Sequence, residues 1–274
     1  MNQYAELACA LDPALLLESA GMTPDPWQAR VLRSQAKHQL LLCSRQAGKS
    51  TSTAGLALHT ALYEDEALIL LLSPSLRQSQ ELFRNVTRLH ELIRGATEPE
   101  AESTLRLELS NGSRIIALPG KEESIRGFAG VKLLIIDEAA RVADDLYRSV
   151  RPMLAVSNGR MIGLSTPWGK RGWFYDVWTN GEGWERTKVT AYECPRISPA
   201  FLEQERRSMP DSWFRQEYLC EFADAEGSVF AYDDVMAALS DSIEPLFPTA
   251  PAVSTPGLGD SEPLFQLFST SGGA

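Results

Sequence analysis

Residues 41–51, Leu-Leu-Cys-Ser-Arg-Gln-Ala-Gly-Lys-Ser-Thr, place Gly48, Lys49 and Ser50 in the order that a phosphate-binding loop demands. The pattern G-x-x-x-x-G-K-[ST] works because backbone amides surround the phosphates. The lysine reaches the β- and γ-oxygens, and the hydroxyl ligates Mg²⁺. Two positions depart from it: Cys43 stands where the first glycine belongs, and Arg45 occupies a place that is usually small. A guanidinium there would sit near the γ-phosphate and stabilise charge in the transition state. A surface arginine beside the loop is the plainer alternative. A lone Gly-Lys-Ser recurs by chance, so the second element decides. Asp137 and Glu138 follow four apolar residues, Leu133 to Ile136, and Asp137 lies 137 − 49 = 88 positions after Lys49. At a strand end Asp137 would hold the water shell of Mg²⁺, and Glu138 would polarise an attacking water. The pair fits a nucleoside triphosphate such as ATP with Mg²⁺.

Chemistry of this kind needs a loop fixed between a strand and a helix. Residues 38–44 form an apolar strand leading into the loop, and 50–63 carry alanines and leucines at helical spacing. Residues 67–75 read as a strand buried on both faces, and 76–94 as an amphipathic helix through Leu82, Val86, Leu89 and Ile93. Alternating Leu105, Leu107 and Leu109 before Asn111-Gly112 predict a hairpin. Further strands are predicted in 131–142, in 160–167 ending in Ser165-Thr166-Pro167, and in 184–192. Residues 199–220 read as helical. Strands alternating with helices predict an α/β fold with a mostly parallel sheet covered on both faces, of the P-loop NTPase (RecA-like) class. The glycine loop, the Asp-Glu pair and Ser-Thr-Pro would all lie at strand carboxyl ends, where such sheets bind ligands.

The 274 residues, 44% hydrophobic and 23% charged, suit an ordinary globular protein. No apolar run exceeds the six residues of Ala67–Leu72, so no membrane span is expected, and no basic residue precedes Arg30, which excludes a signal peptide. Four scattered cysteines and three isolated histidines suggest neither a zinc site nor a disulfide framework, and a reducing cytoplasm is the default. The net charge is −10, but no Lys or Arg follows Arg215, whereas residues 216–274 hold ten acids. The remaining 36 − 10 = 26 acids balance all 26 bases, so the body is neutral and charge neither supports nor excludes DNA. From Asp241 the chain turns rich in Pro and Gly, the composition of a tail.

Together these residues resemble the ATPase domain of the large terminase subunit, the DNA-packaging motor of tailed bacteriophages and prophages. That family's loop is typically S-R-Q-x-G-K-[ST], matched by Ser44, Arg45, Gln46, Gly48, Lys49 and Ser50, with Ala47 and Thr51 completing it; Cys43 is then a family feature. Trp27-Gln28 is similar to an adenine-contacting element in which the indole stacks on the base and the amide bonds its edge. Residues 72–83, 124–140, 163–175 and 213–230 are similar to further family segments, so the resemblance covers about 24–232. It implies that Ser165 and Thr166 couple phosphate state to movement, and that Arg126 or Arg45 completes the catalytic set, Arg126 from a neighbouring subunit.

The implied organisation is an N-terminal helical arm (1–23), an ATPase domain (24–225) with a small helical subdomain around 195–222, and an acidic, Pro/Gly-rich linker or tail (226–274). The implied partners are double-stranded DNA, the portal of the procapsid, the small terminase subunit, and copies of the chain in a ring on the portal, with a monomer when free, in the bacterial host cytoplasm. Competing readings are a helicase-like DNA-dependent ATPase and a prophage remnant that binds ATP without packaging. Full-length members continue into a two-metal nuclease. Here no apolar strand precedes Asp260, so nuclease activity is expected to be absent and Asp233, Asp234 and Asp260 read as tail acids.

Overall fold

The computed structural model describes residues 3–93, 99–125 and 127–223. Helices α1 (Gln3–Leu11), α2 (Pro13–Ser19) and α3 (Pro26–Arg33) precede the first strand, β1 (His38–Cys43), which runs into the glycine loop and α4 (Lys49–Tyr63). Then follow β2 (Leu68–Ser73), α5 (Leu76–Leu92), β3 (Pro99–Glu102), β4 (Arg106–Leu109), β5 (Arg114–Pro119), the single turn α6 (Glu122–Ile125) and β6 (Val131–Asp137). The chain continues through α7 (Asp144–Ala155), β7 (Arg160–Ser165), α8 (Gly172–Asn180), β8 (Glu185–Val189), α9 (Pro199–Ser208) and α10 (Asp211–Leu219).

The strands form one sheet in the order β3-β4-β5-β2-β6-β7-β1-β8. From β5 to β8 every pairing is parallel, and β3 and β4 add an antiparallel edge. The expected α/β architecture is therefore what folds. Side chains alternate between two cores, as the two-residue strand period requires. Leu41, Cys43, Ile69, Leu71, Leu133 and Ile135 face one core, shared with α2, α3, α4 and α5. Leu40, Leu42, Leu70, Leu72, Leu134 and Ile136 face the other, shared with α7 and α8. Burial on both faces explains why these strands read as unbroken apolar runs.

Local chemistry starts the helices where the site needs them. Asp12 caps α2 by accepting from the Ala14 amide at 3.0 Å, and its carboxylate also accepts from Nε and Nη2 of Arg33 at the end of α3, in three bonds of 2.8–3.0 Å. Leu16 and Leu17 of α2 are fully buried beneath α4, so the expected N-terminal arm shares the core of the sheet. Asp25 and Gln28 form a capping box with Pro26 in the first turn of α3. Pro210 separates the helical region expected over 199–220 into α9 and α10.

The hairpin at Asn111-Gly112 forms as expected, joining β4 to β5, and the strand expected over 131–142 ends at Asp137. The helices α7 and α8 were not expected, although Leu146, Val150 and Leu154 of α7 stand at helical spacing on either side of Pro152; α8 is a short, aromatic-rich helix. The turn from α7 into β7 packs directly on β6. Ser157 Oγ donates to the Val131 carbonyl at 2.5 Å, and a Cβ at Gly159 would lie 2.0 Å from that oxygen. No side chain fits there without moving backbone. Gly159→Ala is therefore expected to destabilise the protein by about 1–3 kcal/mol, read as a lower thermal midpoint with the native circular dichroism otherwise retained.

Candidate nucleotide site

β1 and β6 are separated in the sheet by β7 alone, so the glycine loop, the Asp137-Glu138 pair and Ser165-Thr166 come out side by side on one edge. The loop closes with Gly48 at φ +90°, a left-handed value that favours glycine, and Gln46 is left-handed as well. α4 begins at Lys49, and the free amides and positive dipole end of a 15-residue helix suit an anion.

The loop is held from behind. Gln28 Nε2 donates to the Gly48 carbonyl at 3.1 Å, while its Oε1 accepts from the Asp25 amide at 2.7 Å. Arg196 donates to the Ala47 carbonyl at 2.7 Å and grips buried Asp25 through two further bonds of 3.0 and 2.8 Å. A Cβ at Gly48 would meet Gln28 Nε2 at 2.8 Å and Arg196 Nη2 at 3.0 Å. Two loop carbonyls are thus engaged by side-chain donors and are turned away from any anion held by the amides.

On the side of the acidic pair Lys49 Nζ donates to Glu138 Oε1 at 2.8 Å. The other oxygen, Oε2, lies 3.5 Å from the donating Ser165 Oγ and 3.9 Å from Arg141 Nε. Glu138 itself adopts φ +49°, a strained value for a non-glycine residue, and opens a 3₁₀ turn, Ala139–Arg141. Its amide donates to Asp137 Oδ1 at 3.0 Å. Asp137 is 9% exposed, and burial pushes its carboxyl up to about 6; the neighbouring Glu138 adds to the rise and Lys49 opposes it. Ser50, in the first turn of α4, and Asp137, at the end of β6, are the two residues expected to ligate a metal.

Not every expected residue joins this group. Arg45 points elsewhere: its guanidinium pairs with Glu217 of α10, and its amide donates to the Glu217 carbonyl at 3.3 Å. Trp27 is 5% exposed and packed in the core, so its ring faces are already covered and the expected stacking on a base finds no open face. Its neighbour Gln28 spends its amide on the loop. Ser44 and Thr166 are buried at the strand ends, Ala47 is buried in the loop, and Thr51 is half-buried in the first turn of α4. Arg126 lies outside the described residues.

Several residues were missed. Asp25 carried a readable signal in the Asp-x-x-Gln spacing of its capping box. Arg196, 149 positions from Ala47, carried none. Arg45, Arg141, Arg171, Trp168, Trp213 and Glu217 line a cleft of about 500 Å³ beside the acids. The cysteine in the first-glycine position, Cys43, is fully buried, and burial drives its thiol far above the usual range.

Residues 40–236 match the family described as terminase large subunit, T4likevirus-type, N-terminal. The chain is 28% identical over 228 residues to the terminase large subunit of Escherichia phage T5, an alignment spanning 78% of this chain and 51% of that one. It spans about half the length of the curated relatives it matches. Among solved structures, the large terminase ATPase domain of Thermus phage P74-26 superposes with a TM-score of 0.67 at 24% identity, covering 76% of this chain and 97% of that domain. The large terminase of the thermophilic bacteriophage D6E in complex with ADP superposes at 0.58 and 15% identity, covering 76% and 53%. Both likenesses are of fold.

The raised Asp137 carboxyl has a stability consequence. A carboxyl whose folded value lies above its unfolded one, 3.8, favours the fold fully below 3.8 and loses that contribution as pH rises to about 6. Asp137→Asn is therefore expected to melt higher than the parent protein at pH 7.5, by an amount on the order of 1–3 kcal/mol, with the advantage vanishing by about pH 4. Equal melting at both pH values would show that Lys49 compensates the buried charge completely.

Proposed function

The chain belongs to the terminase large-subunit family, and on that premise we propose that it is the ATP-hydrolysing motor portion of such a subunit, driving double-stranded DNA into a procapsid. The observation that carries this reading is the meeting of Lys49 and Glu138 at 2.8 Å, beside Asp137, at the open edge of the sheet. The ATPase domain is assigned to 24–225, with its small helical subdomain around 195–222. Residues 226–274 are assigned as linker or tail and, with residues 224 and 225 of the domain, lie outside the described residues.

Each side chain then has a task that follows from its position. Amides of Gln46 to Ser50 and the Lys49 ammonium bind the phosphates of ATP; Arg196 and Gln28 keep the loop carbonyls out of the way. Ser50 and Asp137 would hold Mg²⁺, which when bound neutralises the β- and γ-oxygens. Glu138 orients water for attack on the γ-phosphorus and takes its proton as the bond to the ADP oxygen breaks. Ser165, within reach of Glu138, links that event to β7 and Thr166. A guanidinium is still needed for the transition-state charge. That role is assigned to Arg126 of an adjacent subunit or to Arg45, whose guanidinium pairs with Glu217.

No helix among the described residues is long and apolar enough to cross a membrane. The proposed setting is the bacterial cytoplasm, with the portal, the small subunit and a ring of copies as partners and a free chain that is monomeric. DNA cleavage is not part of the reading. The downstream acids Asp233, Asp234 and Asp260 lie outside the described residues.

Lys49→Ala is expected to abolish ATP binding or turnover. Glu138→Gln should bind ATP with parental affinity and hydrolyse it about 10²- to 10⁴-fold more slowly. Equilibrium nucleotide binding and phosphate release measure the two properties separately, and undiminished turnover by Glu138→Gln would sink the assignment. Supercoiled plasmid incubated with the protein and Mg²⁺ or Mn²⁺ is expected to remain intact. Linearisation that persists in Lys49→Ala would show a separate nuclease centre.

A further inference from the structure

The Lys49–Glu138 pair poses a problem that the catalytic reading leaves open. When Lys49 turns to the phosphates of a bound triphosphate, its bond to the carboxylate weakens, because the triphosphate carries the greater charge and draws the ammonium forward. Glu138 must then keep its orientation without its closest cation, next to a second carboxylate, Asp137. Left to itself, the side chain would sample other rotamers, and water positioning would suffer.

We propose that Arg141, seated over the indole of Trp168, is the positioning residue that takes over the Glu138 carboxylate when Lys49 turns to the phosphates. This rests on the reading of Glu138 as the group that activates water. Four observations converge on Arg141. Its Nε stands 3.9 Å from Glu138 Oε2, the oxygen that Lys49 does not use, so a shift of about 1 Å brings it to bonding distance. Its amide donates to the Glu138 carbonyl at 2.8 Å, closing the short turn that ties the two residues together. Its side chain is about one-third exposed, which leaves it room to move. Its guanidinium lies 3.7 Å from the centroid of the Trp168 ring, a cation–π stack that limits this movement to sliding over the ring.

The groups facing the carboxylate complete the picture. Lys49 and Ser165 approach from the loop and from β7, Asp137 precedes it, and Arg141 closes the remaining side. Trp168 stands two residues beyond Thr166, on the segment leaving β7. Any displacement of that strand end moves the ring on which Arg141 rests, and so moves the cation presented to Glu138. Trp168 thereby becomes the physical link between the Ser165-Thr166 segment and the catalytic acid, acting through Arg141.

The pairing is tested first without hydrolysis. Thermal midpoints are measured for Arg141→Ala, Glu138→Gln and the double variant, in the parent protein and in a Lys49→Ala background that removes the competing ammonium. Non-additivity is expected to be at least about 2 °C in the Lys49→Ala background and smaller in the parent. Additive midpoints in that background would overturn the proposal. Kinetics then read the consequence. Arg141→Ala is expected to lower kcat about 10- to 100-fold while KM for ATP and the ADP Kd stay within about 3-fold. Trp168→Ala should act in the same direction, Trp168→Phe should retain most activity, and Arg141→Ala/Trp168→Ala should be no slower than Arg141→Ala alone. Unchanged kcat in Arg141→Ala, with Glu138→Gln inactive, would refute the role of Arg141; additive losses would remove Trp168. Absence of ATPase activity in the parent would count against the proposed function instead, and the melting cycle would still decide whether Arg141 pairs with Glu138.

Discussion

Two adjacent carboxylates at the end of a dry strand must be held beside very few cations, and most of the site follows from that constraint. β6 is buried on both faces from Leu133 to Asp137, so the first carboxylate emerges where solvent screens it poorly. Glu138 escapes the same fate only by a left-handed turn that lifts its side chain toward Lys49. The ammonium is placed by the loop, the loop by β1, and β1 by its position one strand away from β6. The ion pair therefore depends on the sheet order, and the sheet order on the apolar runs that build it.

The parts of this arrangement that were legible in the sequence are those written in local pattern. Parallel strands buried on both faces leave unbroken apolar stretches, and each of the three chemical candidates followed one. The loop was readable despite Cys43, because the pattern rests on Gly48, Lys49 and Ser50 more than on the side chain at that position. Chain separation hid the rest. Arg196 reaches Asp25 across 171 positions and Arg45 reaches Glu217 across 172, and no periodicity records either. Trp27 was legible as a motif but not as a location: an indole next to a helix start fills a core as readily as it covers a base, and here Val31, Leu32 and α4 surround it in the same cluster.

Arg45 illustrates how position in a motif and position in space diverge. In the sequence it stands within the phosphate-loop pattern; in the structure its backbone and its guanidinium are both tied to Glu217. The exposed salt bridge contributes little to stability, about 0–1 kcal/mol. Its effect is geometric, since it joins the loop to α10 and sets one wall of the arginine- and tryptophan-lined cleft. The loop is thus attached on one side to α3 through Gln28 and on the other to α10, with Arg196 beneath it.

Burial of Cys43 at the base of the loop has a practical corollary. All four cysteines of the sequence, Cys9, Cys43, Cys194 and Cys220, are buried, and burial raises the thiol of each, that of Cys220 to about 12. Thiolate, the form that attacks maleimides, is scarce at all of them near neutral pH. A cysteine installed at Val156, which is 86% exposed at the end of α7, would face no competition from the native thiols. The protein thus accepts a site-specific fluorophore without first being stripped of its own sulfur.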